Sequence, residues 1–306
     1  MGSFLAGHDM VKENSFLLKT PDNVSLFVAK LEHSFSNGSP QEHGALLILH
    51  GIGEHSGRYH HIPSFLSQDF DTFYTMDLRG HGRSAGLRGH TPSFDSFVED
   101  LRLVVQEIKK REPQKKLYLL AHSFGGLISL RMILTDVKVL FEAVIISAPL
   151  LGVAVHVPWY KFLAAEILNY TLSALQLTNE INPSFLSHDP QVVEAYVKDR
   201  LVHRKMTPRL YFEMCKTIDW IFTQSGPFSC PVLFLVPGQD KIVSSAKTLE
   251  FYQNIKSQDK KLIEYPEMYH EILNEIGKEK VFEEIHAWLK TLKIKTVQHS
   301  KEAHIG

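Results

Sequence analysis

A serine between an apolar run and a helix-forming segment constrains this chain more than any other feature. Residues 117–120 are continuously apolar and predict a buried strand, and residues 127–133 predict a buried helix. Ser123 lies between them, in the segment 121–125, where small residues allow a sharp backbone turn. Strand, turn and helix in this order are typical of a nucleophile elbow, which presents a serine hydroxyl for reaction. The alternative is a serine that only caps the helix N-terminus.

The rest of the chain alternates between apolar runs and helical patterns. Further strands are predicted at 45–49, 72–76, 143–146, 232–236 and 261–265, of which 45–49 and 143–146 are expected to be buried, and helices at 62–66, 94–111, 246–255 and 281–292. Residues 15–18 and 24–29 flank turn-forming residues and predict an antiparallel hairpin, and a polar loop is expected at 34–42. This alternation implies an α/β fold with a mostly parallel sheet flanked by helices.

One segment departs from the alternation. Residues 151–227 show helical patterns without a convincing buried strand. We therefore expect residues 1–150 and 228–293 to form two parts of one core, and residues 151–227 to form a helical cap. The cap would lie over the carboxyl edge of the sheet, where ligands of open α/β sheets bind. Residues 294–306 are expected to be a flexible tail.

The bulk composition limits the class of partner. The 306 residues carry a formal net charge of −1 and no basic tract, so there is no electrostatic reason to expect nucleic acid. Cys215 and Cys230 are too few for a disulfide framework. The sequence shows no signal peptide and no run of roughly 20 apolar residues that could span a membrane. We expect a cytoplasmic protein, with peripheral membrane association open, and the sequence makes no prediction about the oligomeric state.

Two polar residues after predicted strands form a chemical hypothesis with Ser123. A serine hydroxyl needs a base to take its proton, and the base needs an acid to orient it. Asp240 follows the strand at 232–236, and His270 follows the strand at 261–265. The chain order Ser, Asp, His is that of α/β-hydrolases. We therefore predict Ser123 as the nucleophile, His270 as the general acid and base, and Asp240 as the group that holds the imidazole tautomer.

Acyl transfer also needs donors for the negative charge that develops on the carbonyl oxygen, each worth about 3 kcal/mol. The predicted donors are the backbone amides of Phe124, directly after the serine, and of Ile52, in the loop after an early strand. Asp77 is the second candidate for the acid, although it precedes the serine in the chain. Arg79 and His81 are expected to support a turn.

Two motifs resemble a known family. Residues 50–59, HGIGEHSGRY, are similar to the H-G-x-G-E-H-S-x-R-Y signature of monoacylglycerol lipases and related lysophospholipases. Residues 77–84, DLRGHGRS, are similar to an element that α/β-hydrolases share more widely. The resemblance covers about residues 14–292, and Ala121 replaces the first Gly of the usual elbow.

The resemblance implies an α/β-hydrolase fold with a helical cap. It also implies a serine hydrolase that needs no cofactor and cleaves the ester of a single-chain lipid. We expect hydrolysis of monoacylglycerols to fatty acid and glycerol through an acyl-enzyme intermediate. Lysophospholipase or general carboxylesterase activity is the alternative, and non-catalytic lipid binding on the same fold is an alternative of a different class.

The resemblance also places polar groups around the glycerol end of the substrate. The matching positions are Glu54, Arg58, His122 and Tyr196. Glu54 and Arg58 are four residues apart, so a purely structural ion pair is the alternative for these two.

The segment 159–175 carries an unusually broad apolar arc. Glu166, Asn169 and Ser173 share one narrow polar stripe, and apolar side chains cover most of the remaining circumference. Part of this arc can line an acyl tunnel and part can enter a lipid interface. The alternative is a helix that its own domain buries on both sides.

Two other classes of site are disfavoured. Residues 51–53 follow a strand as in a nucleotide-binding loop, but Ser56 stands where the third glycine would be. His55, His60 and His61 are close in sequence but match no metal-binding motif, and we expect no metal.

Overall fold

Eight strands form one sheet in the computed structural model of the chain. The structure describes residues 12–32, 44–136, 140–154, 159–179, 181–224, 226, 228–257 and 259–302. The strands of this sheet are β1 (Lys12–Lys19), β2 (Ser25–Glu32), β3 (Gly44–Leu49), β4 (Phe70–Met76), β5 (Leu117–His122), β6 (Val144–Ser147), β7 (Val232–Pro237) and β8 (Lys260–Tyr265). The α-helices are α1 (Ile62–Leu66), α2 (Asp95–Arg111), α3 (Phe124–Thr135), α4 (Trp159–Thr171), α5 (Pro190–Lys198), α6 (Pro208–Thr223), α7 (Ser245–Asn254) and α8 (Lys278–Glu302).

The strand order is β1-β2-β4-β3-β5-β6-β7-β8. The β1–β2 and β2–β4 pairs are antiparallel, and all other pairs in this sheet are parallel. The mostly parallel sheet and the N-terminal hairpin predicted from the sequence are therefore confirmed. Because β3 to β8 run in the same direction, their carboxyl ends meet at one edge of the sheet.

Helices cover both faces of the sheet, which explains the continuous apolar runs. In β3, Leu47 and Leu49 belong to an apolar cluster with residues of α2, α3 and α7. The alternate residues Leu46 and Ile48 belong to a second cluster with residues of α1 and α8. Successive side chains of a strand point to opposite faces, and each buried large apolar side chain contributes roughly 1.5–3 kcal/mol. A strand covered on both sides therefore needs apolar residues at every position.

The largest boundary difference lies at the C-terminus. The apolar spacing predicts a closing helix over 281–292, whereas α8 runs over Lys278–Glu302. Residues 294–302, expected in a flexible tail, continue this helix, and 303–306 lie outside the described residues. Apolar spacing marks only the part of a helix that needs a buried face. The polar loop expected at 34–42 also lies outside the described residues.

The segment between β6 and β7 is mainly helical. Besides α4, α5 and α6 it contains a short 3-10 helix (Pro183–Phe185) and a pair of two-residue strands (Leu177–Thr178 and Lys205–Met206). No helix in the described ranges combines the length and apolar composition needed to cross a membrane.

Backbone hydrogen bonds join this segment to loops at the carboxyl edge of the sheet. His203 N donates to Gly53 O at 2.8 Å, and Glu271 N donates to Leu186 O at 2.8 Å. Gly53 has a φ of 77°, and a Cβ there would lie 2.5 Å from His203 O, so this contact requires glycine. The division of the chain into core and cap stays a prediction.

Candidate active site

Ser123 occupies the turn between β5 and α3 in a backbone conformation that is rare for residues with a side chain. Its φ is 52° and its ψ is −113°. The side chain makes no capping hydrogen bond to α3, so the helix-cap interpretation is wrong. Space for the turn comes from Gly125, where a Cβ would lie 2.6 Å from His50 O. The result is a sharp strand-to-helix turn that carries the serine at the carboxyl edge of the sheet.

His270 joins Ser123 to Asp240. Its Nε2 atom lies 3.0 Å from Ser123 Oγ, and its Nδ1 atom lies 2.7 Å from Asp240 Oδ2. Asp240 Oδ1 accepts from the backbone amides of Ile242 at 2.7 Å and Val243 at 2.9 Å. The structure therefore brings the three predicted catalytic residues together, and their catalytic roles stay a prediction.

The protonation states suit a base between a hydroxyl and an acid. Burial lowers the pKa of His270, but the carboxylates of Asp240, Glu271 and Glu54 together outweigh burial, and the net pKa lies above the ordinary 6.5. Burial raises the pKa of Asp240, but the imidazole and the two amides outweigh burial and hold that pKa below 3.8. Asp240 is therefore an anion at neutral pH, and it accepts from Nδ1 of the imidazole. The Nε2 atom of the neutral ring is left to accept a proton from Ser123.

The loop after β3 lies directly against the serine. A Cβ on Gly51 would lie 3.2 Å from Ser123 Cβ, so this position leaves no room for a larger residue. The next residue is Ile52, whose amide is one of the two predicted oxyanion donors. The other, the amide of Phe124, belongs to the first turn of α3, where backbone N–H groups have no partner within the helix. The use of these amides as donors stays a prediction.

Charged side chains form a buried network beside these residues. Arg58 Nη1 donates to Glu54 Oε2 at 2.5 Å and to Glu271 Oε1 at 2.6 Å, and Nη2 donates to Glu271 Oε2 at 2.7 Å. Glu54 Oε1 also accepts from the Tyr59 hydroxyl at 2.7 Å and the Gly51 amide at 2.6 Å. Burial raises the pKa of Glu54, but Arg58 and these donors outweigh it and hold that pKa below 4.5. The ion pair expected as the alternative role of Glu54 and Arg58 is therefore present.

His122 and Tyr196, the two other predicted binding residues, also lie here and are nearly buried. The His122 ring centroid is 4.8 Å from that of His270, and burial, followed by the charge of His270, lowers the pKa of His122 to about 3. The Tyr196 ring lies 4.9 Å from Arg58 Cζ, and burial raises the pKa of the Tyr196 hydroxyl to about 12. Both side chains are therefore neutral at physiological pH.

These residues line a cleft above Ser123 whose empty volume, including its opening to solvent, is about 320 Å³. The polar lining consists of Glu54, His122, Tyr196 and Glu271, together with Ser123 and His270. The apolar lining consists of Ile52, Ile181, Leu186 and Ile242. The cleft thus offers hydrogen-bonding groups and apolar surface to the same ligand.

Sequence reasoning missed Glu271 and the apolar lining from the segment between β6 and β7. The only signal for Glu271 is its position directly after His270. Its partner Arg58 is 213 residues away in the chain, so no local spacing could reveal the pair. Ile181 and Leu186 belong to a segment without a motif.

The other residues that the sequence singled out have partners away from the serine. Asp77 accepts from the amides of Ser56 at 2.8 Å and Arg83 at 2.6 Å, so it secures loops. Arg79 binds Asp100 through two hydrogen bonds of 2.6 Å, in agreement with a supporting role.

The histidines at positions 55, 60 and 61 also have separate partners away from the serine. His55 Nε2 lies 2.7 Å from Asp199 Oδ2, and His61 Nε2 lies 2.9 Å from Leu273 O. His60 Nε2 lies 3.8 Å from Glu13 Oε2.

Helix α4 presents apolar side chains to solvent. Along one face, which we call the exposed apolar face of α4, the exposed fractions are 57% for Tyr160, 46% for Leu163, 56% for Ile167 and 77% for Tyr170. The polar residue Asn169 is instead buried. The alternative interpretation, a helix that its own domain buries on both sides, is therefore wrong for the described side chains. Contiguous exposed apolar surface is common at the contact sites of proteins for ligands, partners or lipid surfaces.

Similarity to known proteins agrees with this geometry. A family model, Hydrolase_4, described as "Serine aminopeptidase, S33", matches residues 40–277. Phospholipase YtpA of Bacillus subtilis is 28% identical over 79% of this chain and 93% of its own length. An uncharacterized abhydrolase domain-containing protein of Dictyostelium discoideum is 32% identical over 79% of this chain, which spans only 26% of that protein. The crystal structure of Paleococcus ferrophilus monoacylglycerol lipase is 29% identical, with a TM-score of 0.76 over 87% of this chain and 99% of that one.

The family match and the solved relative both extend over most of the sheet and its edge. The mostly parallel sheet and the serine turn after β5 are those expected of this fold. The chain therefore belongs to the Hydrolase_4 (serine aminopeptidase, S33) family and is a serine hydrolase with the α/β-hydrolase fold.

Proposed function

We propose that this protein is a monoacylglycerol lipase, which hydrolyses monoacylglycerols to fatty acid and glycerol. The observation that carries the proposal is the chain of hydrogen bonds from Ser123 through His270 to Asp240, at a cleft with polar and apolar lining. The similarity to the Paleococcus ferrophilus monoacylglycerol lipase supports the same substrate class.

In the proposed reaction, His270 Nε2 takes the hydroxyl proton as Ser123 Oγ attacks the ester carbonyl carbon. Asp240 stabilises the resulting imidazolium and keeps Nδ1 protonated. The amides of Ile52 and Phe124 donate to the oxyanion of the tetrahedral intermediate. When the intermediate collapses, the bond to the glycerol oxygen breaks and His270 gives that oxygen the proton. Water, activated by the same imidazole, then hydrolyses the acyl-enzyme and releases the fatty acid.

The lining of the cleft supports the orientation of the substrate. The acyl chain would lie against Ile181, Leu186 and Ile242, since burial of apolar surface is favourable. The glycerol hydroxyls would face the carboxylates of Glu54 and Glu271, which are hydrogen-bond acceptors. A neutral polyol suits these groups.

We further propose that residues 151–227 act as a cap through which the enzyme takes substrate from a lipid surface. The exposed apolar face of α4 would enter the interface, and Ile181 and Leu186 belong to the same segment and line the cleft.

A lysophospholipase is the second candidate, because the Bacillus subtilis relative named as a phospholipase matches over 93% of its length. The proposed triad serves both reactions equally well, so the substrate must be tested directly. The experiment is a panel of long-chain monoacylglycerol, triacylglycerol, lysophospholipid and short aryl esters with purified protein. We expect the highest kcat/KM on monoacylglycerol, and low activity on triacylglycerol because the cleft would admit one chain. Equal rates on monoacylglycerol and triacylglycerol would contradict the proposal.

A further inference from the structure

We propose that Glu271 is a specificity-determining residue, which gives the head-group side of the cleft a net negative charge and thereby excludes anionic head groups. This inference rests on the proposed function and narrows its substrate class to esters with uncharged head groups.

The first step is the charge of the buried network. Glu271 Oε1 and Oε2 accept from Arg58 at 2.6 and 2.7 Å, and Oε2 also accepts from Asn274 Nδ2 at 3.0 Å. Glu54 accepts from Arg58, from a hydroxyl and from a backbone amide. All of these groups donate to the two carboxylates. Two carboxylates therefore share one guanidinium, and the network of Glu54, Arg58 and Glu271 keeps one unit of negative charge.

The second step is the direction in which this charge faces. Glu54 and Glu271 line the cleft together with Ser123 and His270. Arg58 is not among the residues that line the cleft, and its guanidinium is held by both carboxylates and lies near the Tyr196 ring. A ligand in the cleft thus lies beside two carboxylates, and the single charge of Arg58 offsets only one of them.

The third step is the strength of the effect. The side chains of Glu54, Arg58 and Glu271 are at most 9% exposed, so solvent and salt screen the network poorly. The uncompensated negative charge of this network repels a phosphate group in the cleft. The hydroxyls of glycerol are uncharged and can donate hydrogen bonds to carboxylate oxygens. We expect removal of the charge of Glu271 to reduce the preference for neutral over anionic head groups at least about tenfold.

The same charge acts on the proposed base. Around His270 lie Asp240 at Nδ1, Ser123 at Nε2, the neutral ring of His122, and the network. Both network carboxylates stabilise the imidazolium. Loss of the negative charge at Glu271 therefore lowers the pKa of His270 and shifts the acidic limb of the kcat/KM–pH profile to lower pH. A substitution that only disturbed the local structure would lower kcat/KM but leave the midpoint of that limb in place.

The test compares Glu271→Gln, which removes the charge, with Glu271→Asp, which keeps it. Glu250→Gln, which removes an exposed carboxylate on α7, is the matched control. The substrates are monohexanoylglycerol and hexanoylglycerol phosphate, whose short chains keep them monomeric. A second pair, p-nitrophenyl hexanoate and its 3-carboxylate analogue, carries a charge difference of the same sign, though smaller, without glycerol.

The expected result is a wild-type preference for the neutral member of each pair, which falls at least about tenfold in Glu271→Gln but not in Glu271→Asp or the control. An unchanged preference in Glu271→Gln overturns the inference. If Glu271→Gln does not fold, a wild-type enzyme that hydrolyses both members of each pair equally well overturns it, and a clear neutral preference supports it. If the enzyme does not hydrolyse monohexanoylglycerol but shows the expected charge effect on the two aryl esters, the proposed function is contradicted and the inference about Glu271 stands.

Discussion

The hydroxyl of Ser123 lies 3.0 Å from His270 Nε2 while the serine backbone has a φ of 52°. Such strained backbone persists only where surrounding bonds fix it. Here Ser123 N donates to Ser147 O at 2.9 Å, and Ser123 O accepts from the amides of Leu127 and Leu150, each at 3.1 Å. The turn is thus held from three sides, and the hydroxyl is presented to the imidazole in one position.

Asp240→Asn should lower kcat by about 10³- to 10⁴-fold with little change in KM, because an amide no longer fixes the imidazole tautomer. Steady-state kinetics on a short ester measures this. Asp199→Asn is the matched control, since Asp199 Oδ2 also lies 2.7 Å from a histidine, His55, outside the cleft lining. Similar losses in both variants would mean that Asp240 has no special role.

The kcat/KM should rise with pH to a plateau, with a midpoint above 6.5, because the imidazole must be neutral to take the serine proton. The sign follows from the raised pKa of His270: below it the ring is protonated and cannot act as a base. A pH profile on a substrate without ionisable groups measures the midpoint. A midpoint well below 6.5 would contradict the proposed role of Asp240 beside His270.

Gly51→Ala should reduce kcat/KM at least about tenfold, because small displacements of reacting groups are costly. The new Cβ would lie 2.9 Å from Glu54 Oε1 and 3.2 Å from Ser123 Cβ, so either the Glu54 carboxylate or the loop with the proposed Ile52 donor must move. Gly226→Ala is the control, since no atom lies within 4 Å of a Cβ there. Thermal unfolding separates a local shift from loss of the fold, and wild-type kinetics in Gly51→Ala would contradict the placement of the loop.

The double substitution Ile167→Glu and Tyr170→Glu should weaken binding to phosphatidylcholine vesicles about tenfold or more, because charged groups are costly in a lipid interface. Sedimentation with vesicles measures binding. Hydrolysis of a monomeric short-chain ester should stay at the wild-type rate, as both side chains are exposed. Leu17→Glu, at a 65% exposed position on β1, is the control. Unchanged vesicle binding in the double variant would exclude this face of α4 as the lipid contact.

The sheet and the positions of Ser123, Asp240 and His270 could be predicted because both depend on local patterns. A strand buried on both faces, such as β7, is apolar throughout, whereas β8 is only partly buried. Polar residues in the loops after such parallel strands lie near the carboxyl edge of the sheet. Because the strands are parallel, their carboxyl ends meet at one edge, and the three residues that follow them lie in one region. No long-range information was needed beyond the parallel arrangement.

Other features depend on contacts that local patterns do not contain. Periodicity identifies the two sides of α4 but not which of them meets a neighbour, and the structure buries Asn169 while Tyr170 is exposed. The Glu271–Arg58 pair joins residues that are 213 positions apart. Helix α8 likewise extends beyond the residues 281–292 that show apolar helical spacing.

The most direct test of Ser123 as the nucleophile is intact-protein mass spectrometry after brief reaction with a p-nitrophenyl ester and acid quenching. The wild-type protein should gain the mass of one acyl group, located on Ser123. Ser123→Ala should keep the thermal stability of the fold, gain no acyl group and lose esterase activity by several orders of magnitude. If folded Ser123→Ala forms the same adduct, or hydrolyses the ester at the wild-type rate, Ser123 is not the nucleophile.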